Sequence, residues 1–196
     1  MSKYSVFETP IQEIHLPLLP LRGLVIDVGG GSEGLVSRME GSRVCAVDIN
    51  FAKIREAMIH GSLSNWFTCD GQTLCFASHS FDIATLFFSL GYMRDHETKV
   101  RVLEEVYRVL KPDGLVYIKA SRIDDDYDKL VFLADFILPD GTVSRIGYSV
   151  RGRQNQSIES IASILLKTGF EIIERKDNGY WFEITGSKSL KSRPNV

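Results

Sequence analysis

Cysteine is scarce and poorly spaced for structural work. Cys45, Cys69 and Cys75 are the only three in 196 residues, and no C-x-x-C pair occurs. That spacing offers neither a zinc cluster nor a disulfide framework, and no metal site is expected. An odd number of thiols fits a reducing, cytoplasmic setting. Long apolar runs are missing too. None approaches the ~18 residues that mark a membrane-spanning helix, and Leu16-Pro17-Leu18-Leu19-Pro20-Leu21 is too short and too broken by proline to be a signal-peptide core. No excess of one charge is present: the net charge of −2 gives no reason to expect a polyanion such as nucleic acid as main partner. There is no internal repeat, and nothing speaks to oligomeric state.

What is present is an ordinary globular composition, 44% hydrophobic and 24% charged, which suits one domain over residues 1–196 with a sizeable core. The organising stretch is Leu24-Val25-Ile26-Asp27-Val28-Gly29-Gly30-Gly31-Ser32-Glu33-Gly34. An apolar run that ends in an acid and then in glycines reads as a buried parallel strand turning into a helix. Open α/β sheets bind ligands at that carboxyl edge. Gly29 and Gly31 lack a Cβ, so the backbone can adopt positive φ and a ligand can approach it. The N–H groups of a helix from about Glu33 to Met39 would face that ligand.

Two more strands end the same way. Arg43–Asp48 closes on Asp48, which follows Gly29 by 19 residues, where an acid accepts ribose hydroxyls. Asn50 can cap the next helix, Phe51–His60, and so leave Asp48 free. Trp66–Asp70 closes on Asp70, with Gly71 next. One such aspartate is a common turn residue, but three at one sheet edge suggest a ligand with several hydrogen-bond donors. The glycines alone are ambiguous, because Gly29, Gly31 and Gly34 also satisfy the dinucleotide pattern G-x-G-x-x-G. A pyrophosphate there would meet the carboxylates of Asp27 and Glu33, whereas a ligand carrying an ammonium and a sulfonium would be attracted by them.

Phe81–Phe88 is a fourth, central strand followed by Ser89-Leu90-Gly91-Tyr92. Asp95–Leu110 is an amphipathic helix with Val100, Leu103, Val106 and Leu110 on one stripe and Asp95 or Thr98 as cap. Lys111-Pro112-Asp113-Gly114 ends it before a fifth strand, Leu115–Ala120. Residues 121–156 then break the α/β rhythm. Asp124 to about Asp135 reads as helical, Pro139-Asp140-Gly141 as a turn, and Thr142–Val150 as a strand with Ile146, Tyr148 and Val150 on one face. Val131–Leu138 is the nearest partner for that strand. Arg145, Arg151 and Arg153 cluster there, as solvated surface or as a lid that meets an anionic substrate. Ser157–Thr168 is a helix capped by Ser157 and closed by Gly169. Glu171–Arg175 and Tyr180–Ser187 form a terminal hairpin. Residues 1–22, with Pro10, Pro17 and Pro20, read as a loop-rich leader, and Lys188–Val196 as a frayed tail.

Asp27-Val28-Gly29-Gly30-Gly31 resembles the first motif of the class I S-adenosylmethionine (SAM)-dependent methyltransferases. Glu33 departs from it, standing where many members have a third glycine. Leu103–Leu115 resembles the segment before strand five in small-molecule members, and the antiparallel hairpin matches the end of their sheet. The resemblance covers roughly residues 23–187 apart from the insertion. It implies an α/β, Rossmann-like three-layer sandwich with a mostly parallel seven-stranded sheet ending in an antiparallel hairpin, SAM as cofactor, and methyl transfer to a small molecule. Asp27 would then act on the methionine ammonium, and Gly29 and Gly31 would admit the methionine portion. Asp48 would accept the ribose hydroxyls, Ile49 would lie against adenine, Asp70 with Gly71 would take the adenine amino group, and Ser89 would border the methyl. His96 and Tyr92 are the only base candidates near the mouth; His15, His60 and His79 are read as structural. The chain lacks the Asn-Pro-Pro-Tyr or Asp-Pro-Pro-Tyr motif after strand four, which argues against amino methylation of nucleic-acid bases or glutamine. Two alternatives stay open: an NAD(P)-binding oxidoreductase, and a non-catalytic SAM-binding or interaction protein. The stretch 121–156 is expected to be a substrate-side cover outside the main sheet.

Overall fold

The computed structural model describes residues 4–59 and 63–189. The strands are β1 (Val6–Glu8), β2 (Gln12–His15), β3 (Val25–Val28), β4 (Val44–Asp48), β5 (Asn65–Thr68), β6 (Phe81–Phe87), β7 (Leu110–Ser121), β8 (Lys129–Ile137), β9 (Val143–Arg151), β10 (Phe170–Asp177) and β11 (Trp181–Lys188). Four α-helices are interleaved: α1 (Leu35–Glu40), α2 (Phe51–Ile59), α3 (His96–Val109) and α4 (Ile158–Thr168). His60 and the helix end expected near Gly61 lie outside the described residues, as does the tail from residue 190.

Seven strands make the main sheet, in the order β10-β11-β7-β6-β3-β4-β5. β7, β6, β3, β4 and β5 run parallel, while β11 is antiparallel to β7 and to β10. β3 is buried at every position, as a central parallel strand covered on both faces must be. One face packs on α3 and α4 through Leu103, Val106, Ile161 and Leu165; the other packs under α1 through Val25, Val44, Ile83 and Val36. Helix ends follow the sequence. Asp95 accepts the Thr98 N–H at 2.7 Å, Ser157 and Ser160 form a reciprocal capping box, and Gly169 closes α4 in the left-handed region at φ 112°. Phe81 pairs with Leu110 and Ile83 with Leu115, so Lys111–Gly114 bulges out of β7 where a plain turn between helix and strand was expected.

A second sheet sits outside the first. β8 pairs antiparallel with β9 along one edge. Its other edge takes β1 opposite Lys129–Val131 and β2 opposite Ala134–Ile137, both parallel and end to end. Two expectations are corrected here. Residues 124–135 are not helical, because Leu130, Phe132, Ala134 and Phe136 are buried at every second position while their neighbours are half-exposed, which is strand periodicity. The loop-rich leader also carries two short edge strands, β1 and β2, separated around Pro10, whose missing N–H suits a break in a ladder. Lys188 is not frayed either: it is buried at the end of β11, and its Nζ donates to the Tyr107 and Leu110 carbonyls at 2.6 and 2.7 Å.

The excursion has a closed neck. Ile123 and Gln156 exchange backbone hydrogen bonds at 2.9 and 2.8 Å, and Gln156 Nε2 donates to the Ser121 carbonyl. Its apolar face packs back onto the carboxyl edge of the main sheet. There Phe88 meets Phe132, Phe136, Tyr148 and Trp181.

Candidate functional site

A cavity of about 980 Å³ opens at the carboxyl ends of β3, β4, β5 and β6. It gathers Asp27, Gly29, Gly31, Asp48, Ile49, Asp70, Gly71, Ser89 and Tyr92 in one place. His96 is not among its lining residues; it is the exposed first residue of α3. His15 lies exposed at the end of β2 beside Glu13, and His79 precedes β6 in the left-handed region.

The glycine loop is shaped by contacts that sequence only partly shows. Gly29 and Gly30 both donate to the Val47 carbonyl, at 2.8 and 3.1 Å, which folds the loop over the end of β4. Gly29 has φ +77°, and a Cβ there would lie 2.4 Å from the Ser89 Cβ. The loop and the β6 turn therefore touch without room for a side chain. We expect Gly29→Ala to destabilise the protein by at least about 2 kcal/mol from strain plus displacement of Ser89. The midpoint of urea unfolding measures this, and an unchanged midpoint contradicts the packing described. Helix α1 begins at Leu35, two residues after Glu33, and has six residues. Glu33 thus belongs to the loop, where its carboxylate accepts the Ser144 hydroxyl of β9 at 3.4 Å, while Ser144 accepts from Arg38.

The three acids are held differently. Asp27 is 2% exposed, and its Oδ1 accepts the Thr85 hydroxyl at 2.6 Å. Burial pushes its carboxyl up to about 7, against the lowering effect of Thr85 and helped by the charge of Asp48. Asp48 is fixed by two backbone donors: Gly31 N–H to Oδ2 at 3.1 Å and Asn50 N–H to Oδ1 at 2.8 Å. Asn50 also caps α2 through the Ala52 N–H, as expected. Asp70 accepts the Gln72 backbone N–H at 2.9 Å inside its own turn. Ile49 projects its side chain at 71% exposure beside them. An exposed isoleucine on a cavity wall offers a flat apolar surface to a ring.

Across the cavity the lining changes character. Phe88, Phe136, Ile146 and Tyr148 form an apolar wall, three of them from the second sheet. Phe88 sits at φ +57°, a conformation that costs a bulky residue about 1–2 kcal/mol. Burial of its ring, worth about 1.5–3 kcal/mol, outweighs that cost. The kink sets Ser89, which is buried and starts the turn Leu90–Tyr92. Tyr92 has Lys53 Nζ 4.5 Å above its ring and Tyr148 beside it. Burial and the charge of Asp48 raise the Tyr92 phenol above its ordinary range, so in this state it is protonated at neutral pH. Arg145 and Arg153 are engaged with Asp135 and Asp128. Sequence reasoning missed Thr85, although a polar residue inside the run Phe81–Phe88 signalled it. It also missed Phe88 and Phe136, whose role depends on non-local contacts. Among the described residues no cluster of three metal-ligating side chains occurs, and no helix is long and apolar enough to cross a membrane.

The residues suit SAM. A desolvated carboxyl poised near neutrality fits an ammonium, the side-chain-free loop leaves space for the methionine portion, and a pinned aspartate presents its remaining lone pairs to a diol. Comparisons with known proteins agree. The Methyltransferase domain family model matches residues 26–118. The ubiquinone/menaquinone biosynthesis C-methyltransferase UbiE of Klebsiella pneumoniae is 28% identical over 174 residues, covering 76% of this chain and 67% of the relative. UbiE of Nitrosospira multiformis is 30% identical over 168 residues, covering 76% and 68%. The chain thus spans about two thirds of the length of these relatives. A solved SAM-dependent methyltransferase from Methanosarcina mazei aligns with a TM-score of 0.64 at 21% identity, covering 88% of this chain and 95% of that one, a likeness of fold. These matches decide the ambiguity of the glycine loop: the chain belongs to the class I SAM-dependent methyltransferase family.

Proposed function

We propose that the enzyme moves the methyl group of SAM to an apolar, ring-bearing small molecule seated between Ser89 and the second sheet. The observation that carries this reading is the division of one cavity into an acid-lined half on β3, β4 and β5 and an apolar half walled by Phe88, Phe136, Ile146 and Tyr148. In this reading Asp27 pairs electrostatically with the ammonium, Gly29 and Gly31 lie along the methionine portion, and Asp48 accepts the ribose hydroxyls. Ile49 and Gly71 flank the adenine, Asp70 accepts its amino group, and Ser89 borders the methyl. The UbiE relatives are named for ubiquinone/menaquinone biosynthesis, which supports a ring-bearing acceptor.

The bound cofactor supplies an electrophilic methyl on a sulfonium. The protein's task is then to hold the acceptor atom in line and to exclude water, which is catalysis by proximity and orientation. Neither His96 nor Tyr92 supplies a base, so the acceptor brings its own electron-rich atom. The second sheet acts as the substrate-side cover, with β9 tied to the glycine loop through Ser144 and Glu33.

Ile146→Asn tests the division of labour. It places an amide on the apolar wall away from the three acids. Methyl transfer from labelled SAM to a panel of apolar ring compounds should fall at least about tenfold, the equivalent of 1.4 kcal/mol, while affinity for S-adenosylhomocysteine stays within twofold. Equal losses of both would count against a separate acceptor half.

A further inference from the structure

We propose that Cys69 and Cys75 are a reversible disulfide pair that weakens adenosyl binding when oxidised. The inference rests on the reading of Asp70 as the adenine acceptor. Cys69 immediately precedes Asp70 and lines the cavity. Its Sγ accepts the backbone N–H of Cys75 at 3.3 Å, so the sulfur already lies against the residue it would join. Cys75 is held in place from both sides. The Leu74 N–H donates to Glu105 Oε2 at 2.7 Å, and Arg108 donates to the Leu74 and Phe76 carbonyls at 3.0 and 2.9 Å. Cys75 is exposed and so reachable by a small oxidant.

Cys45 is the third thiol, but it is fixed within β4 and half-buried there. In the reduced protein the Cys69 S–H is shared between the Asp70 and Thr73 carbonyls, at 3.6 and 3.5 Å. These contacts brace the turn that presents Asp70. Oxidation removes that proton and turns the sulfur toward Cys75, so the turn loses its brace.

The chemistry balances with a low-molecular-weight disulfide as oxidant. The Cys75 thiolate attacks it, forming a mixed disulfide and releasing one thiol. The Cys69 thiolate then attacks the Cys75 sulfur and releases the second. Both protein thiol protons end on the two released thiols. Burial raises the Cys69 thiol above its ordinary range, which slows the second step.

The test treats the whole protein with oxidised glutathione and reads it twice. Peptide mapping should show a Cys69–Cys75 crosslink with one thiol left free, and a stable glutathione adduct or a crosslink to Cys45 overturns the proposal. Calorimetry should then show S-adenosylhomocysteine affinity about tenfold lower, restored by dithiothreitol and unchanged by oxidant in Cys75→Ser. A crosslink that leaves affinity unchanged overturns the regulatory claim. Absence of binding in the reduced protein would instead strike at the cofactor reading, and the mapping would still judge the pair.

Discussion

Replacing Asp27 by asparagine is expected to stabilise the ligand-free protein and to cripple cofactor binding. The carboxyl is buried and pushed up to about 7, roughly three units above an ordinary aspartate near 3.9, and each unit is worth about 1.4 kcal/mol. A group whose pKa is raised by folding holds its proton more tightly when folded. Its presence therefore costs nothing below about pH 4, where both forms are protonated. The cost grows between about 4 and 7 and is constant above. Asparagine keeps an oxygen for the Thr85 hydroxyl and carries no charge. The stability gap between Asp27→Asn and wild type should therefore be about 1–2 kcal/mol at pH 5 and widen to about 4 kcal/mol at pH 8. Urea unfolding at the two pH values measures it, and a gap that does not widen contradicts the account. Binding supplies the opposite sign. An ammonium beside Asp27 favours the ionised carboxylate, so S-adenosylhomocysteine should release close to one proton at pH 6. Calorimetry in buffers of different ionisation enthalpy reads that proton; in the variant it should vanish, with affinity falling at least about tenfold.

Asp48→Ala carries the second large effect. The carboxylate is proposed to accept the ribose hydroxyls, and it also ties Gly31 to Asn50 across the cavity floor. Hydrogen bonds to a charged acceptor contribute about 1.5–3 kcal/mol, so affinity for S-adenosylhomocysteine should fall roughly 10- to 150-fold. Circular dichroism should be unchanged, because the side chain leaves from the end of β4 and not from the core. Affinity within twofold of wild type would remove Asp48 from the site.

The aspartates near the carboxyl ends of three strands, the glycine loop, the caps on α3 and α4 and the terminal hairpin were legible because each is a local pattern with a local cause, although only β4 ends on its acid: Asp27 lies within β3 and Asp70 two residues past β5. Asp95 and Ser157 satisfy N–H groups three residues away, and the hairpin turn lies within four residues of chain. The second sheet was only half legible. The β8–β9 hairpin could be read from Pro139-Asp140-Gly141 and the alternation of Thr142–Val150. The leader could not, since β1 and β2 are short and pair with β8 more than 120 residues away in sequence. The run 124–135 misled because three aspartates in a row suggest a helix start, whereas burial every second residue from Leu130 to Phe136 wins. Within the site, residue identities were readable but their supports were not. Thr85 reaches Asp27 only through the β3–β6 register, and the pinning of Asp48 by Gly31 depends on the loop's fold.

A crystal structure of the complex with S-adenosylhomocysteine tests the central claim most directly. Adenine should lie between Ile49 and the Asp70 turn, ribose on Asp48, and the amino group beside Asp27. The sulfur should face the apolar space between Ser89 and Ile146. A sulfur directed away from the second sheet, or an adenosyl group bound outside the edge formed by Asp27, Asp48 and Asp70, would contradict it.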